Sequence, residues 1–249
     1  MSKVEGRGEV LGLIPARGGS KSIPLKNMAM LGGEPLIDFV ISSAQSSGLL
    51  HRVICSTDSD LIAGFCRDKG VEVVRRPDTL AGDETPVVDV VRHVLEVYTK
   101  HPEGYPLPEI IVLLQPTSPF VLPEHIEGCV EALWSDKEAN SVQTISRMPH
   151  NYHAYNQREI NNGYVEFRFP DLRARCYNKQ RKPELYVFGN LVATRTSAFL
   201  QTNQLFCAPS IGVEVPVEYA LDVDGPADLE VAEWMLQTGR VNVAHRSSS

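Results

Sequence analysis

Through its first 146 residues the chain alternates short apolar runs with segments of helical periodicity, and few folds satisfy that rhythm. Residues 10–14, 52–56, 71–74, 110–114 and 141–145 predict strands, and residues 35–47, 59–69, 87–99 and 123–134 predict helices between them. Leu36, Ile37, Val40, Ile41 and Ala44 recur on one face of the first helix. Leu61, Ile62, Phe65 and Cys66 do so on the second. The run Ile110–Leu114 holds no polar residue, so both of its faces must be covered. The pattern predicts an α/β fold, with a mostly parallel sheet between helices on both sides. Ligands of such sheets bind outside the carboxyl ends of the strands.

Polar residues collect at those ends. The first strand breaks at Pro15 into a loop carrying Ala16, Arg17, Gly18, Gly19, Ser20, Lys21, Lys26 and Asn27. Glycines let backbone N–H groups approach an anion, and the cations offset its charge, so the loop suits a triphosphate. Arg17 can clamp oxygens with a planar fork, whereas Lys21 and Lys26 act as point charges. Neither common phosphate loop fits. A Walker A loop needs Gly-Lys-Ser/Thr, but Ser20 precedes Lys21 here, and the dinucleotide fingerprint opens directly into a helix. A solvated basic turn is the plainer reading of the same residues. The second strand ends at Ser56-Thr57-Asp58 and the fourth at Gln115-Pro-Thr-Ser-Pro119. Each is a turn device by itself, yet all three share one edge of the expected sheet.

Asp222 and Asp224 stand at alternate positions just before a helix expected over 226–236. On an extended backbone such side chains point the same way. Mg²⁺ bridging phosphate oxygens needs only one or two carboxylates, so the pair suffices for a metal. Asp before Gly-Pro is equally a helix cap, and the sequence leaves both roles open.

The formal net charge of −7 disfavours bulk nucleic-acid binding and makes the basic loop a local exception. The partner is therefore expected to be a small molecule. No apolar run approaches the roughly 20 residues of a membrane helix, and residues 1–9 lack the apolar core of a secretion signal. Five scattered cysteines without a C-x-x-C pair read as reduced thiols of a cytoplasmic protein. His150 and His153 fall in a loop, which disfavours a metal site there. The rhythm fails over 147–182, a Tyr-, Asn- and Arg-rich stretch with alternation at 164–169. It reads as an inserted arm at a subunit interface. Regular structure is expected again over 185–193, 196–201 and 213–215. A single domain over 8–240 follows, with flexible tails at 1–7 and 241–249.

Residues 16–27 match in full the signature A-R-x-x-S-K-x-x-x-x-K-N, and the chain resembles the acylneuraminate cytidylyltransferases. Ser56-Thr57-Asp58, Arg76-Pro77, Leu80 to Asp83, Gln115 to Pro119 and Asp222-Val-Asp224 follow in that family's order. The resemblance spans residues 10–237. It implies a nucleotidyltransferase-type Rossmann-like three-layer sandwich, CTP and Mg²⁺ as co-reactants, and a homodimer built with the arm. CMP would pass from CTP to a small anionic acceptor resembling a sialic or other nonulosonic acid. By this likeness Ala16, Arg17, Gly18, Ser20, Lys21, Lys26, Asn27 and Arg76 would bind the nucleotide. Arg17, Lys26, Asp222 and Asp224 would be catalytic, with the two aspartates on the metal. Gln115, Thr117, Lys179, Gln180 and Tyr186 would receive the acceptor. The chain departs from the sialic-acid pattern where Val187 replaces an arginine and Gly189-Asn190 reverses Asn-Gly. Alternatives are a different acid such as a phosphonate, or a nucleotide-sugar-dependent glycosyltransferase on a similar sheet.

Overall fold

The computed structural model describes residues 7–101, 104–176, 178 and 181–244. It begins with β1 (Val10–Pro15), a small hairpin of β2 (Met30–Leu31) and β3 (Glu34–Pro35), α1 (Leu36–Ser46) and β4 (Arg52–Thr57). Next come α2 (Asp60–Asp68), β5 (Glu72–Arg75), α3 (Val87–Thr99), β6 (Ile110–Leu114), α4 (Pro123–Ser135) and β7 (Ser141–Arg147). The arm holds β8 (Arg158–Asn161), β9 (Tyr164–Phe167) and α5 (Pro170–Arg175). The chain then forms β10 (Tyr186–Arg195), α6 (Thr196–Thr202), β11 (Ser210–Glu214) and α7 (Pro226–Gln237). No described helix is long and apolar enough to cross a membrane.

Among the described residues one seven-stranded sheet runs in the order β11-β7-β10-β6-β1-β4-β5. The wholly apolar β6 occupies its centre, where all five residues are buried. Alternation divides the neighbouring side chains between two cores. Val10 and Ile14 of β1, with Ile110, Val112 and Leu114, pack beneath α1, α2 and α4. Leu11, Leu13, Ile111 and Leu113 pack against α3 and Phe199 of α6. Gly12 lies where a Cβ would come within 2.9 Å of the Leu50 side chain, so a larger residue would push that side chain off the sheet. Beside β1 the strand order reverses, since β4 lies on one flank and β6 on the other. This is the position at which an α/β sheet opens a crevice.

β10 alone is antiparallel to its neighbours. The reason lies in the arm, which leaves the carboxyl end of β7 and must re-enter the sheet from that same edge. Met148 N–H donates to the Leu185 carbonyl at 2.9 Å and closes its base, so the segment outside the sheet is 148–185 rather than 147–182. Asn162 and Gly163, both at positive φ, make the tight turn of the β8–β9 hairpin.

A third core fixes the segment before α7. Val223 is fully buried with Leu31, Leu36, Phe39 and Phe120. Its N–H donates to the Thr117 carbonyl at 2.7 Å. Slipping this segment by one residue would bury an aspartate instead. That forfeits roughly 1.5–3 kcal/mol of apolar burial and adds the cost of burying a charge. Asp222 and Asp224 are thereby held facing outward.

The ends of the fold lie beyond the expected boundaries. Val241 is buried in the third core and Val243 packs on it, so the ordered chain continues past 240. The Arg7 guanidinium stacks on Trp134 at 4.4 Å. Residues 1–6 and 245–249 of the expected tails lie outside the described residues.

His125 of α4 adds a pH dependence to this frame. Burial lowers its pKa from 6.5 to about 4, the neighbouring Glu124 opposing. Leu122 N–H reaches its Nδ1 at 3.2 Å and Asn190 Nδ2 lies 3.0 Å away, which suits an unprotonated Nδ1. The unfolded chain takes up the proton first as pH falls. The contribution is therefore complete above pH 6.5 and is lost progressively toward pH 4, by on the order of 2–3 kcal/mol. Urea unfolding across this range should show a loss of stability that is markedly smaller in His125→Gln.

Candidate active site

The loops at the carboxyl edge enclose an open cleft of about 280 Å³. The basic loop after β1 forms one wall. Gln115 to Thr117 form the floor, the 82–85 turn another wall, and Asp222 and Asp224 face the loop from the far side. Segments more than two hundred residues apart thus meet at the reversal of strand order.

Each feature of the basic loop has an identifiable restraint. Gly18 N–H donates to the Asp58 carboxylate at 2.8 Å, tying the loop to the end of β4. A Cβ on Gly18 would lie 2.9 Å from that of Ser59, so the approach needs glycine. Asn27 is buried and donates from Nδ2 to the Arg17 carbonyl at 2.9 Å, which folds the loop back on itself. Leu25 takes a left-handed φ of 50° and starts a 3₁₀ turn over Lys26–Met28. That turn aims Lys26 across the cleft, where its Nζ lies 3.4 Å from Asp224 Oδ1. Arg17 pairs with Asp83 Oδ1, and Lys21 Nζ lies 3.0 Å from Asp83 Oδ2. Lys21 and then Arg17 hold the Asp83 carboxyl below the usual range.

The capping role left open for the acidic pair falls to another residue. Asp228 Oδ2 accepts from Asp224 N–H at 3.0 Å and from Gly225 N–H at 2.8 Å, so Asp228 caps α7. The carboxylates of Asp222 and Asp224 are left to the cleft. Asp222 accepts a hydrogen bond from Ser118 Oγ at 3.3 Å. Two outward carboxylates, with open faces for water and phosphate oxygens, fit a hard divalent cation. No cluster of three or more candidate metal ligands occurs among the described residues.

Arg76 enters from beyond β5 and is 5% exposed. Its Nη2 donates to the Ser56 carbonyl at 2.9 Å and its Nε to Ser56 Oγ at 3.3 Å. Burial lowers its pKa and the Asp58 carboxylate works against that. The guanidinium remains charged.

Arg17, Ser20, Lys26, Asn27, Arg76, Gln115, Thr117, Asp222 and Asp224 therefore line one cleft, as the sequence led us to expect. Other expected residues sit elsewhere. The Ala16 side chain is buried in the core, Gly18 serves the Asp58 anchor, and the largely exposed Lys21 reaches the cleft only through Asp83. Tyr186 lies at the base of the arm, its hydroxyl donating to Glu184 Oε2 at 3.3 Å. Lys179 and Gln180 lie outside the described residues. Asp58 and Asp83 emerge as organisers of the loop that sequence reading did not assign. Asp58 had a signal in the polar end of its strand, whereas the partnership of Asp83 with Arg17 had none. The exposed Phe188 and Phe206, edge-to-face at 5.5 Å, were also unassigned.

A family model described as Cytidylyltransferase matches residues 11–166. N-acylneuraminate cytidylyltransferase of Escherichia coli is 30% identical over 91% of this chain and 52% of its own length. CMP-N,N'-diacetyllegionaminic acid synthase of Legionella pneumophila is 29% identical over 92% of this chain and 96% of its own. The chain thus spans about half the length of the first relative and nearly all of the second. CMP:2-keto-3-deoxy-manno-octonic acid synthetase, solved in complex with CTP, superposes with a TM-score of 0.68. That structure is 19% identical, with 92% of this chain and 99% of the other covered, and shares the fold.

If Asp58 anchors the loop, Asp58→Ala should speed hydrogen exchange at the Gly18 amide at least tenfold and cost about 1 kcal/mol of stability. Asp58→Asn keeps an acceptor oxygen and should keep exchange at the Gly18 amide close to the parent, while losing the charge that offsets the burial of Arg76.

Proposed function

The chain belongs to the cytidylyltransferase family, and from that premise we propose that it transfers CMP from CTP to a small acidic acceptor, a nonulosonic acid of sialic-acid type. The convergence of Arg17, Ser20 and Lys26 with Asp222 and Asp224 in one cleft carries the reading. The likeness to enzymes named for sialic and legionaminic acids supports the acceptor class. Val187 in place of the arginine of the sialic-acid pattern favours an acceptor other than sialic acid itself.

Arg17 and Lys21 take the β- and γ-phosphates, and Lys26 faces the α-phosphate. An acceptor oxygen attacks the α-phosphorus in line, and the bond to the β-phosphate oxygen breaks to release pyrophosphate. Such a transfer depends on placement and charge neutralisation, which fixed cations supply without reorganising. Gln115 and Thr117 orient the acceptor from the floor. Asn27 and Arg76, held rigidly by their backbone contacts, receive the nucleoside. Asp222 and Asp224 would hold Mg²⁺, which supplies additional charge neutralisation at phosphate oxygens when bound.

We assign homodimer formation to the arm. Ile160 and Val165 are direct cross-strand partners on the β8–β9 hairpin and are 74% and 65% exposed. An apolar pair on a projecting hairpin suits burial against a second copy. Free thiols at all five cysteines fit the reducing cytoplasm.

Incubation with each of four nucleoside triphosphates, Mg²⁺ and a panel of ulosonic acids and phosphonates tests the reaction. Pyrophosphate should appear with CTP and an ulosonic acid; release with phosphonates alone, or none, overturns the acceptor assignment or the reaction respectively. Lys26→Ala should stay folded and lose turnover by about 100-fold or more. Asp224→Asn should move the Mg²⁺ titration to higher concentration, and an unmoved titration removes it from the metal. Sedimentation should show a dimer that dissociates in the double variant Ile160→Asp, Val165→Asp.

A further inference from the structure

The two cations at the outer end of the basic loop are already paired with an anion from another part of the chain. One Asp83 oxygen meets Arg17 and the other lies 3.0 Å from Lys21, so a single carboxylate bridges both. A phosphate group would address the same cations in the same bridging manner. Asp83 sits in the turn between β5 and α3, where Thr85 N–H donates to the Gly82 carbonyl at 3.3 Å. This turn lies outside helices and strands, and the Asp83 side chain is one-third exposed. It can leave the cations without disrupting the core.

We infer that Asp83 is an internal competitor for the polyphosphate subsite, an anion of the protein that an incoming phosphate chain must displace and that reclaims Arg17 and Lys21 as pyrophosphate departs. The inference rests on the polyphosphate reading of this cleft and adds to it a residue that governs occupancy. An exposed ion pair is worth a factor of about 1.5–5 in an equilibrium constant. Two such pairs therefore weaken any ligand that needs both cations by roughly 2- to 25-fold. A phosphate chain that also reaches Ser20 and Lys26 can overcome this loss. A single phosphate confined to Arg17 and Lys21 gains little beyond what Asp83 already supplies. The competitor keeps the empty subsite neutralised and lowers the hold on the leaving product.

Calorimetric titration with inorganic pyrophosphate in Mg²⁺-free buffer tests this on the full chain. Asp83→Asn removes the charge at an exposed position and should bind pyrophosphate about fivefold more tightly. Lys21→Ala removes one of the contested cations, and in that background Asp83→Asn should give a clearly smaller gain. Equal or weaker binding by Asp83→Asn overturns the inference, because Asp83 would then only position the cations. Absence of pyrophosphate binding by both proteins overturns the polyphosphate reading together with the inference. Binding by the parent that the substitution leaves unchanged overturns the inference alone.

Discussion

Like charges gathered at one edge of a sheet repel one another, and this molecule holds them there only by meeting them with anions from distant parts of the chain. Asp83 bridges Arg17 and Lys21, and Asp224 faces Lys26. Asp58 grips the backbone of the same loop and also offsets the loss of hydration at Arg76. These contacts are partly exposed and individually weak in water, so they do not carry the stability of the fold. They set the positions of charged groups around an open space. A ligand bearing several phosphates would find that neutralisation already arranged, and would exchange with it rather than enter a bare cationic pocket.

The frame beneath the charges is apolar. Alternate residues of β1 and β6 fill two cores on opposite faces, which fixes the height at which β1 ends and the basic loop begins. The third core performs the same service for the acidic pair. Val223 is drawn inward beside Phe120, and the flanking aspartates are consequently turned into the cleft. Hydrophobic burial thus determines where the polar chemistry points, even though no apolar side chain takes part in it.

The arm has a consequence for the sheet itself. A chain that leaves and returns at the carboxyl edge can re-enter only antiparallel, and β10 does so between β6 and β7. Its first residues, Tyr186 to Phe188, pair with Arg147 to Ile145 of β7 at the carboxyl edge of the sheet. Gly189 has no room for a Cβ beside Thr144, and Asn190 is buried with its side chain on Thr144, His125 and Tyr219. The reversal of Asn-Gly is therefore a packing feature, and it coincides with a bulge in the ladder between Phe188 and Val192. Phe188, at one end of that bulge, stands exposed and edge-to-face with Phe206.

By itself the sequence determined the order and type of the main elements, because strand and helix periods are written locally in Val10 to Ile14, Ile110–Leu114 and the faces of α1 and α2. It also singled out Arg17, Lys26 and the aspartate pair as candidates, since charge gathered after a strand or before a helix is visible without a fold, and Asn27 came with the family signature. The direction of β10 and the true limits of the arm were not legible, because a backbone path depends on where distant strands already lie. Which residue caps α7 was likewise undecided, because only the structure shows Asp228 accepting from the Asp224 and Gly225 N–H groups. Asp83 is the clearest case. Nothing near residue 83 specifies Arg17 as its partner, and only the packing of β1, β4 and β5 side by side brings residues 66 positions apart within reach of an ion pair.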